Sequence, residues 1–469
     1  MSLADALDAA PARADLLVAG GDRVSTATLE ALTASTAAAL AERSVGRGDR
    51  VAFQLPVGVE AVALYRACWH LGAVAAALHP RAGSTQLTAA FEALGATVRV
   101  ACPDSPAAEL PDVVDVASLH SGQEVPRATV ASDDDALVLF TSGSSGDPKG
   151  VVHTHGGLLY KVLQLQDVHG LGPEDVVLMP APLAHVSGLL HGVLVPGMTG
   201  MRTVLMPHWD PATALDLIEA EAVTYMVGPP TFFLALMEDP SFAPQRTSSL
   251  RLLSCGGTDV TPAFVERARN ELGAVVKRAY GSTEAPTVAT TRHDDPPERM
   301  ADTDGRTFDQ TRLRVDPHGE VWVYGPEVAR GYLDPVHDDG VFVDGWFRTG
   351  DLGQMDGEWL TITGRSDDRI IRAGENISAR EVEMHLEAHQ SVEQAAVVGM
   401  HDDRLGQRVA AFVVASDGFD LEACRSWFAN RGLAPFLTPE HLEVIAKLPL
   451  LASGKLDRTG LQSRLEQRR

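Results

Sequence analysis

Residues 137–155 read LVLFTSGSSGDPKGVVHTH: four apolar residues open directly into a stretch made only of Thr, Ser, Gly, Asp, Pro and Lys. The apolar run predicts a strand, and Thr141–Gly150 predicts a loop at its carboxyl end. In such a loop glycine lets the backbone turn tightly, so several N–H groups can point at one phosphate. The hydroxyls of Thr141, Ser142, Ser144 and Ser145 add donors, and Lys149 adds positive charge. A solvated linker can share this composition, but a linker does not usually follow straight from a hydrophobic strand. The register G-x-x-x-x-G-K-[ST] is not met here, which argues against a Walker-type NTPase or a kinase built on that loop.

The same rhythm continues on both sides. RVAFQLPVG (50–58) predicts a strand leaving into a turn, and VEAVALYRACWHLGAVAAALHP (59–80) predicts a helix followed by a buried strand. DVVLMPAP (175–182), TYMVGPP (224–230) and LRLLSCGG (250–257) are apolar runs ending in Pro or Gly. Strands alternating with helices predict an α/β fold, with parallel sheets covered on both faces. In such folds ligands bind at the carboxyl ends of the strands. After about residue 305 the texture changes: GEVWVYGP (319–326) and WLTITGR (359–365) predict half-buried antiparallel strands. From Ser366 a smaller α+β unit follows, whose first helix starts at Ser378-Ala-Arg-Glu381 with capping-box spacing. A chain of 469 residues exceeds one ordinary core. The predicted domains are 1–365 and 366–469, divided at Gly364–Asp368.

Lys and Arg number 39 against 63 Asp and Glu, a net charge of −24. That surface repels nucleic-acid phosphate and anionic lipid, so neither is an expected partner. The four cysteines lie far apart without a C-x-x-C pair, which predicts free thiols in a reducing compartment. The N-terminus has acids where a secretory leader would be basic, and no apolar run is long enough to span a bilayer. A cytoplasmic location is expected.

The segment TSGSSGDPKG (141–150) resembles the phosphate loop of the adenylate-forming superfamily, which includes acyl- and aryl-CoA synthetases, nonribosomal peptide adenylation domains and luciferases. Further similar motifs follow in the family's order: APLAHVSGLL (181–190), AYGSTEAP (279–286), WFRTGDLG (346–353), GRSDDRIIRAGENIS (364–378) and LPLLASGKLDR (448–458). The resemblance implies a large N-terminal domain of doubly wound α/β subdomains plus a small β-barrel-like subdomain, and a small mobile C-terminal domain. It also implies a two-step reaction: a carboxylic acid and ATP form acyl-AMP and pyrophosphate, and a thiol then takes the acyl group.

The resemblance carries roles residue by residue. Thr141, Ser142, Gly143, Ser144, Ser145, Gly146 and Lys149 would hold phosphates. Gly256, Gly257 and Thr258 would lie beside the adenine edge and acyl pocket, and Tyr280, Gly281 and Ser282 beside the base, where an aromatic face can stack. Thr283 and Glu284 offer hard oxygens suited to Mg²⁺. Asp351 would accept from both ribose hydroxyls, and Arg365 would assist at ribose and phosphate. Lys455 would bridge the acid and the α-phosphate. His185 and Gly374 would serve the second step, after rotation about Asp367, Gly374 lining the thiol's tunnel. Coenzyme A is the expected thiol, and a carrier-protein phosphopantetheine arm is the alternative.

The sequence departs from the family pattern at Ala184, where an aromatic residue usually precedes the histidine. Around APLAHVSGLL there is no Asp to hold a substrate ammonium, which disfavours an α-amino acid. Val186, Ser187, Phe232 and Cys255 are small or apolar, so an apolar aliphatic or aromatic acid is expected. A non-catalytic nucleotide-binding protein is the remaining alternative, and it predicts loss of Thr283, Glu284, Asp351 and Lys455, all of which are present.

Overall fold

The computed structural model describes residues 1–469 apart from 143–147, 367, 373–374, 403, 417, 432, 451–455 and 467–469. Strands form where the apolar runs lie. Arg50–Gln54, Val74–Ala77, Val98–Ala101 and the first part of Asp135–Ser142 run parallel within a seven-stranded sheet. Asp135–Ser142 then pairs antiparallel with Pro148–Thr154, Leu137 opposite His153 and Thr141 opposite Lys149. The strand pair is an antiparallel hairpin, and helix His155–His169 begins only after the return strand, with Thr154 as its N-cap. The short strand Gly331–Tyr332 pairs on the outer side of Pro148–Thr154.

A nine-stranded sheet places Val176–Met179, Tyr225–Gly228, Leu252–Gly256 and Val275–Tyr280 side by side, all parallel. Two of the helices flanking its strands start at Asp210–Pro211 and Thr261–Pro262, where the Asp or Thr side chain accepts a first-turn N–H. Proline suits the next position because it has no N–H to leave unpaired.

Helix Val59–His70 is buried along most of its length, as a helix that is apolar on nearly all sides must be. Tyr65 and Trp69 are fully inaccessible, and their polar ends are satisfied by backbone oxygens. Tyr65 Oη donates to Leu183 O at 2.8 Å and Trp69 Nε1 to Ala136 O at 2.9 Å. One buried helix thus braces both the start of the hydroxyl-rich hairpin and the segment leading to His185.

Packing divides the chain into two units: Met1–Leu313 with Val323–Arg348, and Arg314–Trp322 with Thr349–Arg469. The division falls inside a five-stranded sheet in the region expected to be barrel-like, made of Arg312–Val315, Glu320–Tyr324, Phe342–Val343, Trp346–Asp356 and Trp359–Arg365. The packing division at Arg348/Thr349 precedes Gly364–Asp368. Asp351–Asp356 pairs antiparallel with Trp359–Arg365 and keeps the residues after Thr349 together.

In the second unit the long strands Val392–Asp402 and Gly406–Ala415 pair antiparallel, and helices Ala379–Glu387 and Leu421–Asn430 bury Val382, Leu386 and Phe428 against them. Ser378 Oγ accepts from Glu381 N at 3.3 Å, as its spacing predicted, and donates to Thr363 O. All four cysteines are free, and three are buried. Among the described residues no helix is long and apolar enough to cross a membrane.

Candidate active site

The parallel strands Val176–Met179, Tyr225–Gly228, Leu252–Gly256 and Val275–Tyr280 end on one rim of the nine-stranded sheet. The segments leaving that rim carry, in order, His185, Phe232, Gly256–Thr258 and Tyr280–Glu284. This is where an open α/β sheet presents its ligand site. Gly256 lies opposite Ala279. A Cβ there would come within 2.1 Å of Ala279 O, so only glycine lets the two strand ends close up beside Tyr280.

Tyr280–Pro286 folds back on itself. Ser282 N donates to Ala285 O at 3.0 Å, Ala285 N to Ser282 Oγ at 3.2 Å, and Val288 N to Tyr280 O at 2.8 Å. A Cβ on Gly281 would meet Thr287 N at 2.2 Å.

Two segments distant in sequence converge on this loop. His153, on the return strand of the hairpin, donates from Nε2 to Thr283 O at 2.8 Å. Burial pushes His153 down to about 4, against the opposing pull of that carbonyl and of Glu284, so the ring is neutral at pH 7. Ala329 N donates to Glu284 O at 2.7 Å. Tyr332 Oη donates to Glu284 Oε1 at 2.9 Å, and Lys149 Nζ stands 5.3 Å from the centre of the Tyr332 ring. The tyrosine thus joins the lysine of one motif to the carboxylate of another. Neither His153 nor Tyr332 is singled out by the sequence motifs; the signal for Tyr332 is an aromatic residue just after the GEVWVYGP strand.

His185 caps the short helix Val186–Leu189, its Nδ1 accepting from Ser187 N at 3.3 Å, and the residue is exposed rather than packed in the core. With Nδ1 accepting, the proton sits on Nε2. Of the pocket candidates, Ser187 and Phe232 are partly exposed, while Val186 and Cys255 are buried. Cys255 packs in the core with Phe233 and Phe264. Phe232 stacks on Trp209, the ring centres 4.3 Å apart.

In the second unit Asp351 and Arg365 face each other across the hairpin, with Arg365 Nη1 at 2.7 Å from Asp351 Oδ1. Asp351 is 7% exposed, and its N–H donates to Thr349 Oγ1. The expected phosphate-loop residues Gly143, Ser144, Ser145 and Gly146, the second-step residue Gly374, the pivot Asp367 and the lysine Lys455 lie outside the described residues. Ser142 is paired with Pro148 at the neck of the hairpin.

The donor set at Thr283 and Glu284 fits a magnesium ion. Mg²⁺ takes one or two protein oxygens and fills its remaining positions with water and substrate phosphate. Glu284 is partly exposed and steadied through one oxygen by Tyr332, which suits a carboxylate to that role.

A doubly wound scaffold with a rim of this kind defines a nucleotide-binding α/β enzyme. The chain belongs to the AMP-binding enzyme family, which it matches over residues 4–333, with the AMP-binding enzyme C-terminal domain over residues 381–455. It is 35% identical to the medium-chain fatty-acid–CoA ligase of Escherichia coli (strain K12), over 91% of this chain and 83% of that protein. It is 33% identical to a feruloyl-CoA synthase from Amycolatopsis sp, over 93% of each. Its fold is similar to that of ATP-bound MatB from Rhodopseudomonas palustris, with a TM-score of 0.92, 26% identity and 99% of each chain covered.

Proposed function

We propose that this protein is an AMP-forming carboxylic acid–CoA ligase. The observation that carries the reading is the Lys149–Tyr332–Glu284 contact, which gathers a cation and a metal-ready carboxylate at the rim where Tyr280 and Gly256–Thr258 also emerge.

In the first step the acid's carboxylate oxygen attacks the α-phosphorus of ATP, and the bond to pyrophosphate breaks. Lys149 and the hydroxyls of Thr141–Ser145 hold the phosphates, Tyr280 supports the base, and Asp351 accepts from the ribose hydroxyls. Thr283 and Glu284 would hold Mg²⁺, which would offset the triphosphate charge. Lys455 stabilises the charge that builds between acid and α-phosphate, a role whose loss typically costs ~10²–10³ in rate. In the second step His185, with its proton on Nε2, donates to the acyl carbonyl oxygen. The thiol sulfur attacks the acyl carbonyl, the C–O bond to AMP breaks, and a thioester forms. Replacing oxide by AMP as leaving group is the gain from dividing the reaction. The segment Gly364–Asp368 serves as the pivot between the steps, bringing Gly374 to the thiol.

Ser187, Phe232 and Trp209 give the acyl pocket an aromatic and small-residue character, which favours an apolar aliphatic or aromatic acid over an α-amino acid. The test is ATP–pyrophosphate exchange across a panel of fatty, aryl and arylacrylic acids, followed by the mass of the product formed with CoA. Exchange with an apolar acid and a CoA thioester is expected. ADP as product, or no exchange with any acid, overturns the reading. Exchange without acylation of CoA transfers it to a carrier-protein phosphopantetheine thiol.

A further inference from the structure

Behind the Tyr280–Pro286 loop lies a buried ion pair that the proposed mechanism leaves unused. We infer that Lys161, anchored by Glu327, is a positioning residue for the adenylation step, acting through the Thr287 backbone on the loop that carries Tyr280, Thr283 and Glu284. The inference rests on the nucleotide role proposed for that loop.

Lys161 lies on helix His155–His169, and Glu327 lies just ahead of strand Gly331–Tyr332. Both side chains are 0% exposed, with Nζ 3.2 Å from Glu327 Oε1. The ammonium also donates to Thr287 O at 2.8 Å and sits 3.8 Å from the centre of the Phe308 ring. The Thr311 hydroxyl donates to the same Glu327 oxygen. Burial pulls the Lys161 ammonium down to about 8, with Glu327 opposing the shift. Apolar side chains of similar volume often serve stability as well as a buried ion pair or better, so stability alone does not account for one here.

The backbone that Lys161 holds is strained. Thr287 has φ of 40°, a left-handed conformation that a β-branched residue avoids. Such strain persists where surrounding contacts over-determine it, and it clusters at ligand sites. One restraint is the Lys161 hydrogen bond. Another is the close approach of Gly281 to Thr287 N. Since Val288 N also donates to Tyr280 O, a shift at the Thr287 carbonyl moves Gly281 and Tyr280 with it. The Glu327 segment grips the loop from its other side, Ala329 N donating to Glu284 O. The buried pair therefore joins two anchors of one loop.

Two variants test this: Lys161→Met, and Lys161→Met combined with Glu327→Leu. The measurements are KM for MgATP and kcat in pyrophosphate exchange, and the thermal midpoint. Lys161→Met is expected to raise KM for ATP about ten-fold, the scale of one charged hydrogen bond, and to lower the midpoint because it strands a buried carboxylate. The double variant removes both charges and is expected to recover the midpoint while keeping the raised KM, because Thr287 O still lacks its donor. Recovery of both midpoint and KM would show that the pair is only structural and would overturn the inference. If the double variant does not fold, an unchanged KM in folded Lys161→Met, assayed well below its midpoint, overturns it equally. Wild-type enzyme that exchanges with no acid counts against the proposed function instead. Calorimetric ATP binding by the same variants then reads the positioning role separately.

Discussion

Arg365 Nη1 rests 2.7 Å from Asp351 Oδ1, the two residues standing opposite each other on paired strands. Arg365 is half exposed, so the ion pair adds little to stability, typically ~1 kcal/mol or less. Its consequence is orientation: one carboxylate oxygen is fixed, and the plane of the group is fixed with it.

Asp351→Asn is therefore expected to raise KM for ATP about 10- to 100-fold, the range for losing a charged acceptor of hydroxyl hydrogen bonds. Its thermal midpoint should stay close to wild type. Exchange kinetics together with a melting curve check both halves. An unchanged KM would remove Asp351 from the ribose site.

Lys455→Ala is expected to lower acyl-AMP formation by ~10²–10³ and to leave thioester formation from supplied acyl-AMP largely intact, because in the proposed mechanism the lysine serves the first step alone. Single-turnover assays of each half-reaction separate the two. Equal loss in both steps argues against alternation about the Gly364–Asp368 pivot.

At position 281 an added methyl group would overlap Thr287 N. Gly281→Ala must shift the loop that carries Tyr280 and Glu284, so exchange activity is expected to fall at least ten-fold, of the order expected for misplacing reacting groups. Circular dichroism should show the fold retained. Wild-type exchange in this variant would mean that the loop is not tightly specified.

Acid should destabilise the protein before its carboxylates protonate. Burial pushes His153, His155 and His191 each down to about 4. Between pH 6.5 and 4 the unfolded histidines bind protons that the folded ones refuse. Unfolding then takes up protons, and stability falls as pH is lowered through that window. Each such group contributes at most about 1.4 kcal/mol per pH unit. Urea midpoints from pH 7 to pH 4.5 measure the slope, and His153→Gln should flatten it. A flat profile in the wild type contradicts the burial of neutral rings.

What the chain discloses before folding follows from how local each signal is. Apolar runs ending in Gly or Pro mark the strands and the rim, because burial and chain reversal are written within a few residues. Ser378 and Glu381 likewise announce a helix start at their own positions. The hairpin is harder to read. Its return strand Pro148–Thr154 follows a turn-rich stretch, although Val151, Val152 and Thr154 are the β-branched residues a strand favours. Tyr332 and Lys161 leave almost no trace, because the first sits in a two-residue strand and the second in a helix where lysine is normally solvated. Their partners Glu284 and Glu327 are 48 and 166 residues away, so only tertiary packing reveals them.

The return strand also has an electrostatic consequence. It carries the chain about 20 Å along the sheet before helix His155–His169 begins. The partial positive charge at that helix's amino end acts only within its first turn, so it is spent far from the Ser142–Pro148 end of the strand pair. If the proposed phosphate role of this segment holds, the anion would be neutralised by discrete side chains, the Lys149 ammonium above all, instead of by aligned peptide dipoles. Its hold then weakens with added salt as that of an exposed point charge does.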